Sequence, residues 1–215
     1  HIGRVHSASS GNPKSRFFAS ESTLYSYENG ALKPIVENRH YTDLFFDENS
    51  ILWGARPDGI DMITPDGTML KGIDIKDVFG IDDIITSISL DPYCYLWVGT
   101  HSSGVFRYKE SDGQSMPIEA SEADAMRYVR CLYWDDGGLM WIGTENGLFS
   151  YNVSSRECIH YKHDMYSPEK SISDNAIYSV YKSKEGHVWI GSYFGGVDYM
   201  ASSSERFSYI IPDGG

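Results

Sequence analysis

LMWIGTENGLFSY, residues 139–151, reads as two short apolar and aromatic runs around a small polar loop, and the chain repeats it. LWVGTHSSGVFRY precedes it at 96–108 and VWIGSYFGGVDYM follows it at 188–200, with more divergent copies at 52–63 (LWGARPDGIDMI) and 16–27 (RFFASESTLYSY). Each copy closes its first run on a small residue, turns through a polar loop that often holds Gly, and returns in a second alternating run. That is the pattern of a β-hairpin. Measured on the residue that closes the first run, the steps are 35 from Ala19 to Gly54, 45 to Gly99, 44 to Gly143 and 48 to Gly191. A β-rich period of about 45 residues is the spacing of a four-stranded propeller blade. In the divergent copies Leu52 and Phe17 take the Trp position, and Ala19 replaces the first Gly.

Working outward from these hairpins, turn residues mark a strand before and a strand after each one. Asn29-Gly30 joins 24–27 to 32–36, Asp66-Gly67 leads into 69–73, and the turns 47–49, 135–138 and 183–186 precede the Trp-bearing runs. The expected fold is therefore all-β: β-propeller blades of four antiparallel strands in about five repeat units, near 1–38, 39–80, 81–124, 125–166 and 167–215, forming one propeller region that is either a fragment of a larger propeller or a small closed one. Segments 121–126 and 166–174 have turn or short-helix composition and read as connectors, since the repeat resumes in phase after each.

A chain of 215 residues with 41% hydrophobic and 22% charged residues has the balance of a globular protein. Its formal net charge of −12 opposes a polyanionic partner, because neutralising phosphates requires clustered Lys and Arg, so no nucleic acid is expected. The sequence has no run of eighteen apolar residues to cross a bilayer and no secretory signal at its start, where His1 stands in place of Met, and it reads as a piece of something longer or a processed form. Cys94, Cys131 and Cys158 lack the spacing of zinc or redox sites and are expected to be buried or half-buried.

The stretches AIYSVYKSKEGHVWIGSYFGGVDYM (176–200) and RCLYWDDGGLMWIGTENGLFSYN (130–152) resemble the repeats of two-component regulator propellers. The shared pattern is an apolar strand, an acidic or Gly turn, W-I/V-G-T/S, a Gly-containing loop and a final aromatic; it covers 86–200 well and the first 80 residues in degraded form. The resemblance implies the periplasmic sensor region of a Bacteroides-type hybrid two-component system. Such a region binds a soluble oligosaccharide, can form a homodimer, and relays its signal to a transmembrane histidine kinase elsewhere in the protein, with no direct membrane contact of its own.

Motifs for catalysis are missing: GxSxG, HExxH, a P-loop and a GxGxxG before a helix do not occur, so no catalytic residue, cofactor or metal is assigned. His160 and His163 read as residues of a solvated strand end, and Asp135-Asp136 as turn residues that serve the fold. Trp97, Trp141 and Trp189 recur in phase and read as equivalent, largely buried packing residues. In an up-and-down blade the loop between the second and third strands shares one end with the connection to the next blade. Those loops vary while the strands repeat, which is where a site is grafted. They nominate Arg56, His101, Glu145, Tyr193 and Phe194 as ligand-binding residues. Flat rings would meet the C–H face of a sugar, and Arg, His and Glu would supply directional hydrogen bonds. The alternatives are a carbohydrate-active enzyme (glycosidase or lyase) or a protein-interaction scaffold. Catalysis would draw on acids such as Asp58 and Glu145, about 5 to 10 Å from a partner carboxylate.

Overall fold

The computed structural model describes residues 5–10, 16–202 and 207–210. It is all-β: five sheets, each an antiparallel meander of four strands taken in chain order, as in the blades of a β-propeller. The first blade is β1 (Val5–Ser10), β2 (Arg16–Ser20), β3 (Thr23–Glu28) and β4 (Ala31–Glu37); the second is β5 (Asp43–Phe46), β6 (Leu52–Arg56), β7 (Gly59–Ile63) and β8 (Met69–Asp74). After a five-residue helix, α1 (Ile75–Phe79), come β9 (Ile85–Leu90), β10 (Leu96–Thr100), β11 (Val105–Lys109) and β12 (Gln114–Pro117). The fourth blade is β13 (Val129–Trp134), β14 (Leu139–Thr144), β15 (Gly147–Asn152) and β16 (Cys158–Tyr161), and the fifth β17 (Ile177–Lys182), β18 (Val188–Ser192), β19 (Val197–Met200) and β20 (Phe207–Ile210). The expected first strand began at residue 2, but 1–4 lie outside the described residues. The connectors carry single 3-10 turns at 123–125 and 168–170. No helix among the described residues is long and apolar enough to cross a membrane.

The chain divides into two compact units, 1–100 with 106–116, and 101–105 with 117–215. In the first, one apolar cluster gathers Trp53, Ile60, Ile73, Phe79, Ile85 and Leu96, and another Phe17, Leu24, Tyr41 and Leu52. In the second, Trp141, Leu148, Ile172, Ile177, Val188 and Phe207 pack together. The middle strands β6, β10, β14 and β15 are buried at nearly every position, so both of their faces are covered, whereas the fourth strands β4, β8 and β12 are largely exposed.

One device sets the register of the blades. Asp47, Asp91 and Asp135 each open the turn after the first strand, and Oδ2 of each accepts the indole Nε1–H of a Trp six residues on: Trp53 at 2.9 Å, Trp97 at 3.0 Å and Trp141 at 3.0 Å. The other carboxylate oxygen accepts the backbone N–H four residues on, from Ile51, Tyr95 and Leu139. The acid thus satisfies a tight turn and a buried indole together, which neither water nor an alanine could do there. These Trp side chains are 8%, 0% and 3% exposed.

This device corrects the sequence register of the second blade. Trp53, not Leu52, holds the Trp position, since Trp53 pairs with Phe45 as Trp141 pairs with Tyr133. Ala55, opposite Asp43, then matches Gly99, opposite Ser87. The steps become 36 (19 to 55) and 44 (55 to 99) in place of 35 and 45. Gly54 is a glycine for a different reason: a Cβ there would lie 2.6 Å from the ring of the fully buried Tyr41. In the fifth blade Trp189 keeps the register, opposite Tyr181, but is only half-buried. Ser183 stands where the other turns have Asp, so the indole has no carboxylate to bind and leans on the Tyr199 ring, 4.8 Å between centroids.

The fourth turn residue is left-handed in every one of these turns: Ser50 at φ 63°, Cys94 at 62°, Gly138 at 84° and Gly186 at 86°. Cys94 is exposed there, not buried as its residue type suggested. A side chain at positive φ costs about 1–2 kcal/mol, against about 0.5–1 kcal/mol of added chain entropy for glycine. Cys94→Gly is therefore expected to stabilise the protein by up to about 1 kcal/mol, read as a higher urea midpoint at unchanged slope; a lower midpoint would contradict it.

Candidate functional site

Arg56 ends β6 in the first unit, where it is already engaged. Its Nε donates to Asp61 Oδ1 at 3.1 Å and Nη1 to Asp58 Oδ1 at 2.7 Å. Asp61 is 1% exposed, and its Oδ2 also accepts from Arg39 Nη1 at 2.7 Å and the Tyr41 hydroxyl at 2.9 Å. Burial, then the charge of Asp61, pushes the Tyr41 hydroxyl well above its ordinary value. Two guanidinium groups and a phenol thus neutralise and solvate one buried carboxylate. Arg56 stands in a structural network, which also pairs it with the exposed Asp58.

His101, Glu145, Tyr193 and Phe194 lie in the second unit, and here the structure brings neighbours that the loops alone did not reveal. Tyr128, just before β13, has φ 56°. Its N–H donates to His101 O at 2.9 Å and its carbonyl accepts Glu145 N–H at 3.2 Å, while the His101 ring meets its ring edge-on at 5.2 Å. Left-handed backbone at a bulky residue persists only where its surroundings hold it; here hydrogen bonds on both sides do so, tying the loop of His101 to that of Glu145. Beyond Glu145, its Oε1 accepts Arg130 Nε at 2.7 Å and the Tyr178 hydroxyl at 3.0 Å. The Arg130 guanidinium carbon sits 5.2 Å from the Tyr178 ring centre, within cation–π range. Burial and the bond to Glu145 raise the Tyr178 pKa, keeping it a neutral hydroxyl donor.

Tyr193 follows, its ring 5.5 Å from Tyr178 and tilted 36°, and Phe194 meets Tyr193 edge-on at 4.5 Å. Backbone bonds fix this loop: Tyr193 N–H donates to Ala176 O at 2.9 Å and Phe194 N–H to Asp174 Oδ2 at 2.9 Å. Tyr193 is 63% and Phe194 86% exposed, so a large apolar area is held in place and left open to solvent. Sequence reasoning missed Tyr128, Arg130 and Tyr178 because they sit at or just before the starts of the first strands of their blades, which it treated as scaffold.

His160 departs from its reading as a solvated strand-end residue. It stacks on Phe149 at 3.8 Å, and its Nε2 lies 2.7 Å from Asn146 O, bracing the loop that carries Glu145. Burial lowers its pKa. His163 lies past the end of β16 with Nδ1 2.9 Å from Ile172 O.

Residues 125–146 and 171–194 match the family model described as two component regulator propeller. No curated protein sequence matches it. Among solved structures it is similar to the extracellular domain of a putative hybrid two component system from B. thetaiotaomicron, with a TM-score of 0.72 and 20% identity over 91% of this chain. The match spans only 27% of that domain. A catalytically inactive virginiamycin B lyase from Staphylococcus aureus aligns with a TM-score of 0.75 and 12% identity, over 99% of this chain and 72% of the lyase. A protein of unknown function from Bacteroides caccae aligns with a TM-score of 0.67 at 10% identity, over 93% of this chain and 78% of that one. At these identities the likenesses establish the fold.

Proposed function

We propose, starting from the two-component regulator propeller repeats that the chain carries, that it is a sensing module of a hybrid two-component system. It works in the periplasm, binds a soluble oligosaccharide without transforming it, and passes the signal to a transmembrane histidine kinase. The observation that carries the binding reading is the open aromatic row of Tyr178, Tyr193 and Phe194 beside the Glu145–Arg130 pair. Rigid rings exposed together beside oriented polar groups suit a pyranose, whose C–H face is apolar and whose rim is hydroxylated. Glu145 holds Oε1 on two donors, which fixes the carboxylate as an oriented hydrogen-bonding group beside the rings. The family resemblance supports the periplasmic placement and a homodimer.

The second reading, an enzyme, is favoured by the likeness to the lyase fold. A glycan array followed by calorimetry on the intact protein separates the two. Binding of an oligosaccharide that Tyr193→Ala weakens by about tenfold or more, as for a central aromatic contact, with the sugar recovered unchanged, is the expected result. Release of a cleaved or unsaturated product would overturn the non-catalytic reading. Affinity unchanged in both Tyr193→Ala and Phe194→Ala would exclude this face, and no binding by any glycan would overturn the sensing of oligosaccharides.

A further inference from the structure

The first strands of four blades break register at the same place. Pairing skips a residue between Val5 and Ser7 in β1, between Ile85 and Ser87 in β9, between Val129 and Cys131 in β13, and between Ile177 and Ser179 in β17. A bulge at a fixed point of a repeated strand leaves one residue out of the ladder and re-aims its side chain. The skipped residues include Thr86, Arg130 and Tyr178. Thr86 returns its hydroxyl to Gly99 O at 3.1 Å. Arg130 and Tyr178, in the second unit, instead converge on Glu145 Oε1. The bulge thus recurs in four of the five blades while its occupant varies, which is the arrangement of a specificity position.

Arg130 and Glu145 are partly exposed, with side chains 30% and 34% accessible. Among the described residues, neither the terminal nitrogens of Arg130 nor Oε2 of Glu145 make another hydrogen bond. The pair therefore offers outward a fixed donor edge and a fixed acceptor, side by side, with zero summed charge, next to the Tyr178 and Tyr193 rings. Two adjacent hydroxyls on a sugar match that pattern: one accepts from the guanidinium, and its neighbour donates to the carboxylate.

We propose that this element selects neutral sugars, reading two vicinal hydroxyls through Arg130 and Glu145 while the pyranose face lies on Tyr178 and Tyr193. The proposal rests on the oligosaccharide-binding reading above and narrows it. A uronate or sulfate would compete with Glu145 for Arg130 and leave two anions together, whereas a diol binds with the ion pair intact. The net charge of −12 adds a long-range penalty for an anionic glycan.

The test is calorimetry on the intact protein at two salt concentrations. The probes are neutral cello-, xylo- and manno-oligosaccharides, their deoxy analogues lacking one hydroxyl of the pair, and oligogalacturonates and a sulfated oligosaccharide. At least one neutral series is expected to bind with little salt dependence. Glu145→Gln and Arg130→Gln should each weaken it tenfold or more, and Arg130→Lys should restore part of the loss. The deoxy analogue should bind wild type at least tenfold more weakly than its parent and Glu145→Gln nearly as well as its parent does. Thermal unfolding within a few degrees of wild type confirms that these exposed variants fold. Tighter binding of the acidic glycans would overturn the selection of neutral sugars while leaving oligosaccharide sensing in place. So would neutral binding indifferent to Arg130 and Glu145. Absence of binding by every class would overturn both.

Discussion

Asp135→Ala is expected to destabilise the protein by about 3–5 kcal/mol, the loss typical when a buried charge is removed and its partners are orphaned. Four donors lose their acceptor: the backbone N–H of Gly137 at 2.7 Å and of Leu139 at 3.1 Å, the Trp141 indole at 3.0 Å, and Lys182 Nζ at 2.9 Å. The carboxylate is 1% exposed, so water cannot replace it without opening the turn. The measurement is urea unfolding followed by Trp fluorescence, and a loss under about 1 kcal/mol, the net worth of one ordinary hydrogen bond, would refute the role. The effect carries a pH signature. Burial raises the pKa of Asp135, but hydrogen bonds from Lys182, Trp141 and Leu139 outweigh it and hold the group below its ordinary value. A depressed folded pKa means that the stabilisation is present above about pH 4, the unfolded carboxylate value, and is lost as pH falls through the folded one. The difference between wild type and Asp135→Ala should therefore shrink on acidification below that point.

The second large effect is expected at Asp61. Asp61→Ala leaves Arg39 and the Tyr41 hydroxyl without their carboxylate and Arg56 with the exposed Asp58 alone, a loss of about 3–5 kcal/mol for an ion-pair network of this burial. Arg56→Ala should cost less, roughly 1–2 kcal/mol for one charge-assisted bond, because Arg39 still faces the carboxylate. The same urea titration reads both. An Arg56→Ala variant as stable as wild type would return Arg56 to the list of free loop residues. The expected loss instead means that any change in ligand affinity in that variant must be read against its folding.

Most of the fold was legible because the repeat is written in residues whose physics is local. A Trp-bearing alternating run, a turn-forming acid six residues before it and a Gly-containing hairpin loop define a blade wherever they occur. The repeated turn acid was correctly read as serving the fold, although its bond to the indole was not foreseen. Where the signal thinned, glycine misled the register: Gly54 was aligned with Gly99, whereas it makes room for Tyr41, a residue 13 positions away in sequence.

The candidate site was legible in half. Sequence by itself determined the blades, their period, and the loops where side chains vary, and so it reached His101, Glu145, Tyr193 and Phe194. Tertiary structure decided what those loops sit beside. A bulge is a slip of one residue in hydrogen-bond register between two strands and leaves no mark in the composition of either, so only the paired strands show Arg130 and Tyr178 turned onto Glu145. Likewise the charge of Arg56 reads the same in a free loop and in a buried pair, and only the approach of Asp61 to it from the neighbouring strand tells them apart.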